Sequence, residues 1–150
     1  MLFNHKVTEI SPPFTCITIF TTALCNLNCS YCYICKDSEG GLKKIDDEIE
    51  EAFRTNAYIK QVLDLDPACK DSITQISLWG GEPFLKIYRF IDHIPDFFNS
   101  FPNIDFFDVS TNLNLSDHPQ RIQDLINAVE KNFSLLNISK NLSKRFKVNI

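Results

Sequence analysis

Short apolar runs alternate along this chain with longer segments in which apolar residues recur every three or four positions. The short runs are rich in β-branched and aromatic residues, which is typical of buried strands. They predict strands at 14–20, 73–79 and 104–110, and the opening of a fourth strand at 146–150.

The longer segments have the periodicity of amphipathic helices. Pro67 is expected to end the first helix. Pro95 is expected to interrupt the second, which spans 84–98, because proline removes a main-chain donor and clashes with the preceding turn. The residues predicted to begin the three helices are Asp46 or Asp47, Phe84, and Ser116 or Asp117.

Strands that alternate with helices predict βαβ units and a parallel sheet, and therefore an α/β fold. Parallel sheets carry their chemistry in the loops that follow the carboxyl ends of the strands. The three most unusual segments of this sequence occupy such positions: a cysteine cluster, Gly80–Pro83 and Ser110–Asn112. We expect them to converge on one rim of the sheet.

Composition and charge bound the function. The chain has 150 residues, 44% hydrophobic and 23% charged, which fits one globular domain and excludes a disordered chain. A net charge of −4 argues against binding nucleic acid through the overall field. No apolar run approaches the roughly 20 residues that cross a bilayer, and no secretory signal precedes the first strand. We therefore expect a cytoplasmic protein with no membrane partner.

Six cysteines are many for a reducing compartment, and four of them lie within residues 25–35. Clustered thiols in such a compartment are typical of metal binding or catalysis rather than of disulfides. Of the two outside the cluster, Cys16 is predicted to be a small core residue in the middle of a strand, and Cys69 to lie in a loop.

The spacing of Cys25, Cys29 and Cys32 is C-x3-C-x2-C. Three thiolates can hold a cubane iron–sulfur cluster and leave one iron open to an external ligand. Including Cys35 gives four thiols that could hold tetrahedral zinc, although structural zinc sites usually separate two ligand pairs by a longer loop. Reduced spectator thiols are the third possibility, and Cys35 itself is more simply a spectator than a ligand.

The segment from Thr22 to Tyr33 (TALCNLNCSYCY) resembles the cluster loop of radical S-adenosylmethionine enzymes. Trp79–Pro83 (WGGEP) resembles the glycine-rich motif of that superfamily, and Ser110–Asn112 resembles its Thr-Asn motif. The resemblance covers residues 14–150. It implies the N-terminal half of a partial (β/α)6 TIM-like barrel, with about three βα units and the start of a fourth strand. The domain, 1–150, is accordingly expected to be truncated at its C-terminus.

The resemblance also implies a set of site residues. Cys25, Cys29 and Cys32 would hold a 4Fe-4S cluster, and S-adenosylmethionine would chelate the fourth iron. Reductive cleavage of that cofactor yields methionine and a 5′-deoxyadenosyl radical, which abstracts hydrogen from a substrate. The residues implied to contact the cofactor are Tyr31 beside the adenine, Gly80, Gly81 and Glu82 at the methionine end, and Ser110 and Asn112 at the ribose or carboxylate.

The forms of the cysteine and glycine motifs lean towards the peptide-modifying, sulfatase-maturation-like branch of the superfamily. The implied partners are a ferredoxin or flavodoxin as reductant and a peptide or small molecule as substrate. Leu113 departs from the glycine that often follows the Thr-Asn motif. Two alternatives remain open at this point: a non-catalytic module that binds a cluster or zinc, and an inactive truncated remnant.

Overall fold

The computed structural model describes residues 14–27, 29, 30, 32, 40–114, 119–135 and 146–149. Within this part of the chain the fold is α/β, as the sequence predicts. No helix among the described residues is long and apolar enough to cross a membrane.

Four parallel strands form one sheet in the order β1-β2-β3-β4. Neighbouring strands pair in register, with Ile17 opposite Ile76, and Ile76 opposite Phe107. Since all strands run the same way and follow one another along the sheet, their carboxyl ends share one rim. The strand bounds are β1 Cys16–Thr22, β2 Gln75–Gly80, β3 Phe106–Ser110 and β4 Phe146–Asn149.

Helices make the connections between the strands. Those after β1 are α1 Gly41–Arg54, α2 Ala57–Leu65 and α3 Cys69–Ser72. Those after β2 are a 3-10 helix Pro83–Lys86, α4 Tyr88–Ile91 and α5 Ile94–Ser100. The connection after β3 contains α6 Gln120–Leu135.

The core lies on one face of the sheet. Ile17 and Ile19 of β1 are buried, while the alternate residues Thr18 and Phe20 are exposed, as expected for side chains that alternate across a strand. The buried face packs with the apolar stripes of the helices into one cluster. Its largest fully buried side chains are Phe84, Phe90, Phe97, Phe101 and Phe107.

Two predicted helices differ from those observed. The first begins earlier, at Gly41, so Asp46 is a buried residue inside α1 and not its cap. It also ends at Arg54, because Asn56 adopts a left-handed conformation with φ 53° that no helix interior contains. The second is divided into three short helices, and Pro95 lies in the first turn of α5, where proline is tolerated. The predicted caps Ser116 and Asp117 lie outside the described residues.

Both isolated cysteines lie elsewhere than the sequence pattern predicts. Cys16 is the first residue of β1 and is exposed, so it is not a core residue. Cys69 is not in a loop but begins α3, fully buried in the core. A strand that begins two residues later than predicted moves Cys16 from the middle of the run to its edge.

Candidate metal centre

The three unusual segments do meet at the carboxyl rim of the sheet. We refer to residues 23–32 as the cysteine loop, 80–83 as the glycine turn and 111–114 as the asparagine loop. The glycine turn contacts the cysteine loop through the Glu82 main-chain N–H, which donates to the Leu24 carbonyl at 2.8 Å. The asparagine loop contacts it through Asn112 Nδ2, which lies 3.7 Å from Cys25 Sγ.

The two glycines of the glycine turn allow main chain to pack directly on main chain. The Gly81 N–H donates to the Thr22 carbonyl at 3.0 Å. A Cβ atom at Gly80 would lie under 3.0 Å from the Thr22 carbonyl oxygen, and one at Gly81 would collide with the Leu24 carbonyl. Gly80 also has φ 151°, which only glycine adopts readily. Side chains at these positions would therefore push the cysteine loop away.

Glu82 is fully buried and its carboxylate faces inward. The Thr111 hydroxyl lies 2.8 and 2.9 Å from its two oxygens, and the Asn112 N–H donates to Oε2 at 2.8 Å. The Phe84 N–H donates to Oε1 at 3.0 Å. These contacts tie the end of β2 to the end of β3. The observed contacts give Glu82 a structural role. A contact between its carboxylate and a cofactor stays a prediction.

A second buried carboxylate, that of Asp46, holds the main chain at the start of the cysteine loop. Asp46 of α1 accepts a hydrogen bond from the Thr22 hydroxyl, and from the Ala23 N–H at 3.1 Å. Thr22 Oγ1 in turn accepts from the Leu24 N–H at 3.0 Å. Helix α1 thus fixes the main chain at the point where β1 ends and the cysteine loop begins.

Arg89 of α4 neutralises this carboxylate. Its guanidinium forms two hydrogen bonds of 3.0 Å with the oxygens of Asp46, contacts Glu50, and donates to the Thr21 carbonyl at 3.1 Å. Burial alone would raise the pKa of Asp46. The hydrogen bonds from Arg89, Thr22 and the Ala23 N–H, together with the charge of Arg89, outweigh burial and hold that pKa below its ordinary value of 3.8.

The three cysteines of the loop have free thiols. Cys25 is exposed, whereas Cys29 and Cys32 are half-buried and share a tight turn in which the Cys32 N–H donates to the Cys29 carbonyl at 3.2 Å. The Leu27 N–H points at Cys25 Sγ from 3.4 Å. Three thiols on one loop are the ligand type of an iron–sulfur cluster, and N–H donors directed at a ligand sulfur are common at such clusters. Among the described residues, however, Cys25, Cys29 and Cys32 are not brought together as a group that could hold a metal ion.

A single-ion site is not formed by the described residues, which include no group of three His, Cys, Asp or Glu side chains placed to hold one metal ion. The zinc alternative requires Cys35, which lies outside the described residues, as does Tyr31. Ser110 is the last residue of β3, half-buried and paired in register with Asn149. It lies at the same rim, next to the asparagine loop.

The sequence pattern does not single out Thr22, Asp46, Arg89 and Thr111 as residues that support the site. Thr22 and Thr111 stand inside the cysteine and Thr-Asn motifs, so their positions are visible in the sequence although the motifs assign them no role. Asp46 resembles a helix cap in the sequence. Asp46 and Arg89 are 43 residues apart in the chain, and no local pattern indicates that they pair.

The chain is a parallel α/β domain with three free thiols on the loop after its first strand. The family of 4Fe-4S single cluster domains matches residues 15–146, and the chain belongs to this family. The chain is thus a 4Fe-4S cluster-binding domain. No curated protein and no solved structure matches it.

Proposed function

We propose that Cys25, Cys29 and Cys32 hold the cluster and that its fourth iron takes S-adenosylmethionine, which the chain cleaves reductively as a radical S-adenosylmethionine enzyme. The observation that carries the proposal is the meeting of the three motifs. The glycine turn and the asparagine loop both contact the cysteine loop within hydrogen-bond distance. A cluster-binding loop alone does not require either neighbour.

The bound cluster would supply one electron to the cofactor's carbon–sulfur bond, giving methionine and a 5′-deoxyadenosyl radical that takes hydrogen from the substrate. The chain's own residues would position these groups. The main chain at Gly80 and Gly81 has no side chain to keep a ligand at a distance. Ser110, Asn112 and Tyr31 are the further cofactor contacts that the resemblance implies.

The sheet supports a partial (β/α)6 barrel as the complete architecture. Its strand order follows the chain, β1-β2-β3-β4, without the reversal that characterises doubly wound sheets. Among the described residues the hydrophobic core lies on one face; on the other, Thr18, Phe20 and Trp79 are exposed, and the buried residues are the polar pair Ser77 and Asp108. In a barrel this second face would line the interior. The substrate we propose is a peptide or small molecule, the reductant a ferredoxin or flavodoxin, and the compartment the cytoplasm.

One observation favours a second function. The Glu82 carboxylate is fully buried and accepts from three donors, so the structure does not present it to a cofactor ammonium. A non-catalytic cluster module for electron transfer would need no such ligand. The distinction between this module and the enzyme is whether the cluster responds to S-adenosylmethionine.

The experiment is anaerobic assembly of the cluster from iron and sulfide, followed by EPR of the reduced protein with and without S-adenosylmethionine. We expect a 4Fe-4S signal that changes on addition of the cofactor, and formation of 5′-deoxyadenosine under dithionite. Cys29→Ala should lose the signal, because alanine has no atom that can bind iron. Cys16→Ala is the matched control, because Cys16 is an exposed thiol outside the loop.

An EPR signal that does not change on addition of S-adenosylmethionine would contradict the enzymatic proposal and support the electron-transfer module. A signal retained in Cys29→Ala would show that the ligand set is wrong. Absence of any signal from folded protein would leave the chain an inactive remnant.

A further inference from the structure

The side-chain amide of Asn112 has a defined orientation. Its Oδ1 accepts from the Asn114 N–H at 2.8 Å. A main-chain N–H can only donate, so this bond identifies the oxygen and leaves Nδ2 as the atom that faces the cysteine loop. Nδ2 donates to Asn26 Oδ1 at 3.0 Å and lies 3.7 Å from Cys25 Sγ.

The orientation of Asn26 agrees with this assignment. Asn26 Nδ2 donates to the Asn114 carbonyl at 2.6 Å, which leaves Asn26 Oδ1 as an acceptor. Asn112 and Asn114 are thereby joined to Asn26 in one closed set of hydrogen bonds that spans the cysteine and asparagine loops. The amide hydrogens of Asn112 are both used, one on Asn26 and one on the sulfur.

The main chain beneath the amide is also fixed. The Asn112 N–H donates to buried Glu82, and the Leu113 N–H donates to Thr111 Oγ1 at 3.1 Å. Leu113 is held at φ 54°, an uncommon conformation for leucine that surrounding contacts must maintain. The donor on Asn112 is therefore in place before any ligand binds.

We propose that Asn112 is a positioning residue that donates a hydrogen bond to the Cys25 sulfur and raises the reduction potential of the cluster. The inference rests on the proposed ligand role of Cys25. A donor stabilises negative charge on a ligand sulfur, and the reduced cluster carries one more negative charge than the oxidised cluster. The hydrogen bond therefore favours the reduced form, as hydrogen bonds to cluster sulfurs generally do.

This role differs from the one implied by the resemblance, in which Asn112 contacts the cofactor. The two roles separate in the absence of S-adenosylmethionine. A donor to the sulfur changes the potential of the cluster alone. A contact to the cofactor leaves that potential unchanged and affects cofactor binding.

The test is a potentiometric titration of the reconstituted chain against dithionite, followed by EPR, without S-adenosylmethionine. We expect Asn112→Leu to shift the potential to a more negative value. Asn103→Leu is the matched control, because Asn103 is an exposed asparagine in the loop before β3, where its amide donates to the Asp71 carbonyl at 2.8 Å. The reduction potential of the cluster in Asn103→Leu should equal that in the wild type.

Asn112→Ser is the second variant, for use if the leucine variant does not assemble a cluster. A serine oxygen can still accept from the Asn114 N–H, as Thr111 does from Leu113, but is too short to reach the sulfur. A shift in either variant supports the inference. A reduction potential equal to that of the wild type in both variants overturns the inference, and leaves the proposed cluster ligands unaffected. If the wild type assembles no cluster, the proposed function fails first, and this inference fails with it.

Discussion

Two buried carboxylates hold the same rim of this sheet by different means. Asp46 is 5% exposed and faces the guanidinium of Arg89, with Thr22 and the Ala23 N–H as further donors. Glu82 is 0% exposed, and the donors that the structure gives it are neutral: a hydroxyl and two main-chain N–H groups. Asp46 is thus one member of an ion pair, whereas Glu82 is held by neutral hydrogen-bond donors.

The difference teaches where each support is vulnerable. A buried ion pair contributes little net stability, but removal of one partner leaves an uncompensated charge. A carboxylate that accepts from several neutral donors loses only part of its hydrogen-bond stabilisation when one donor is removed. One substitution in the Asp46–Arg89 pair should therefore cause a large loss of stability. Removal of one donor from Glu82 should cause a smaller loss.

The largest expected effect is that of Arg89→Met, which leaves Asp46 buried without its cation. We expect the free energy of unfolding to fall by about 3 kcal/mol. Urea unfolding of the full chain, followed by the fluorescence of its single tryptophan, Trp79, measures this change. The matched control is Arg54→Met, because Arg54 pairs with Glu51 in solvent, where an ion pair contributes little to stability.

Equal effects of Arg89→Met and Arg54→Met would contradict the comparison, since they would mean that burial of the Asp46–Arg89 pair has no consequence. An additional readout is cluster assembly. We expect Arg89→Met to assemble less cluster than Arg54→Met, because Arg89 also donates to the Thr21 carbonyl just before the cysteine loop.

The intermediate effect is that of Thr111→Val, which removes the hydroxyl that contacts both oxygens of Glu82. Two main-chain donors remain, so the loss should be about 2 kcal/mol and not a collapse of the rim. Thr18→Val is the control, because Thr18 is exposed on β1 and valine suits a strand equally well. A cost for Thr111→Val as small as that for Thr18→Val would show that Glu82 does not depend on this donor.

The sequence predicted the elements of this fold better than their ends. Alternation and helical periodicity report local burial, so all four strands and the parallel arrangement follow from them. The break at Asn56 was not visible, because the apolar stripe continues from α1 into α2 and only the backbone conformation changes. The local sequence does not indicate the start of α1 at Gly41 either, because two glycines normally favour a loop.

The candidate site divides along the same line. The convergence of the cysteine loop, glycine turn and asparagine loop was predictable, because topology places the ends of parallel strands together. The roles of the individual side chains were not. Glu82 lies in a motif that implies a ligand, yet it points inward, and the pairing of Asp46 with Arg89 depends on how α1 and α4 pack. Such contacts are tertiary and leave no mark on local spacing.

The smallest effect concerns pH and applies to Asp46 alone. Because the pKa of Asp46 is held below 3.8 in the folded chain, its stabilising contribution is complete above that ordinary value and is lost as pH falls through the folded value. Asp46→Asn lacks this dependence. We therefore expect the wild type to be more stable than Asp46→Asn at neutral pH, with the difference narrowing as pH falls below 3.8.

Urea titrations of the full chain between pH 6 and pH 3, without added iron, measure this narrowing. Asp47→Asn is the control, because Asp47 is the exposed neighbour of Asp46 on α1. A constant difference between the wild type and Asp46→Asn would mean that Arg89 does not hold the carboxylate in its charged form. The Asp46–Arg89 pair would then support the cysteine loop by hydrogen bonding alone, as the neutral donors support Glu82, and the contrast between the two carboxylates would disappear.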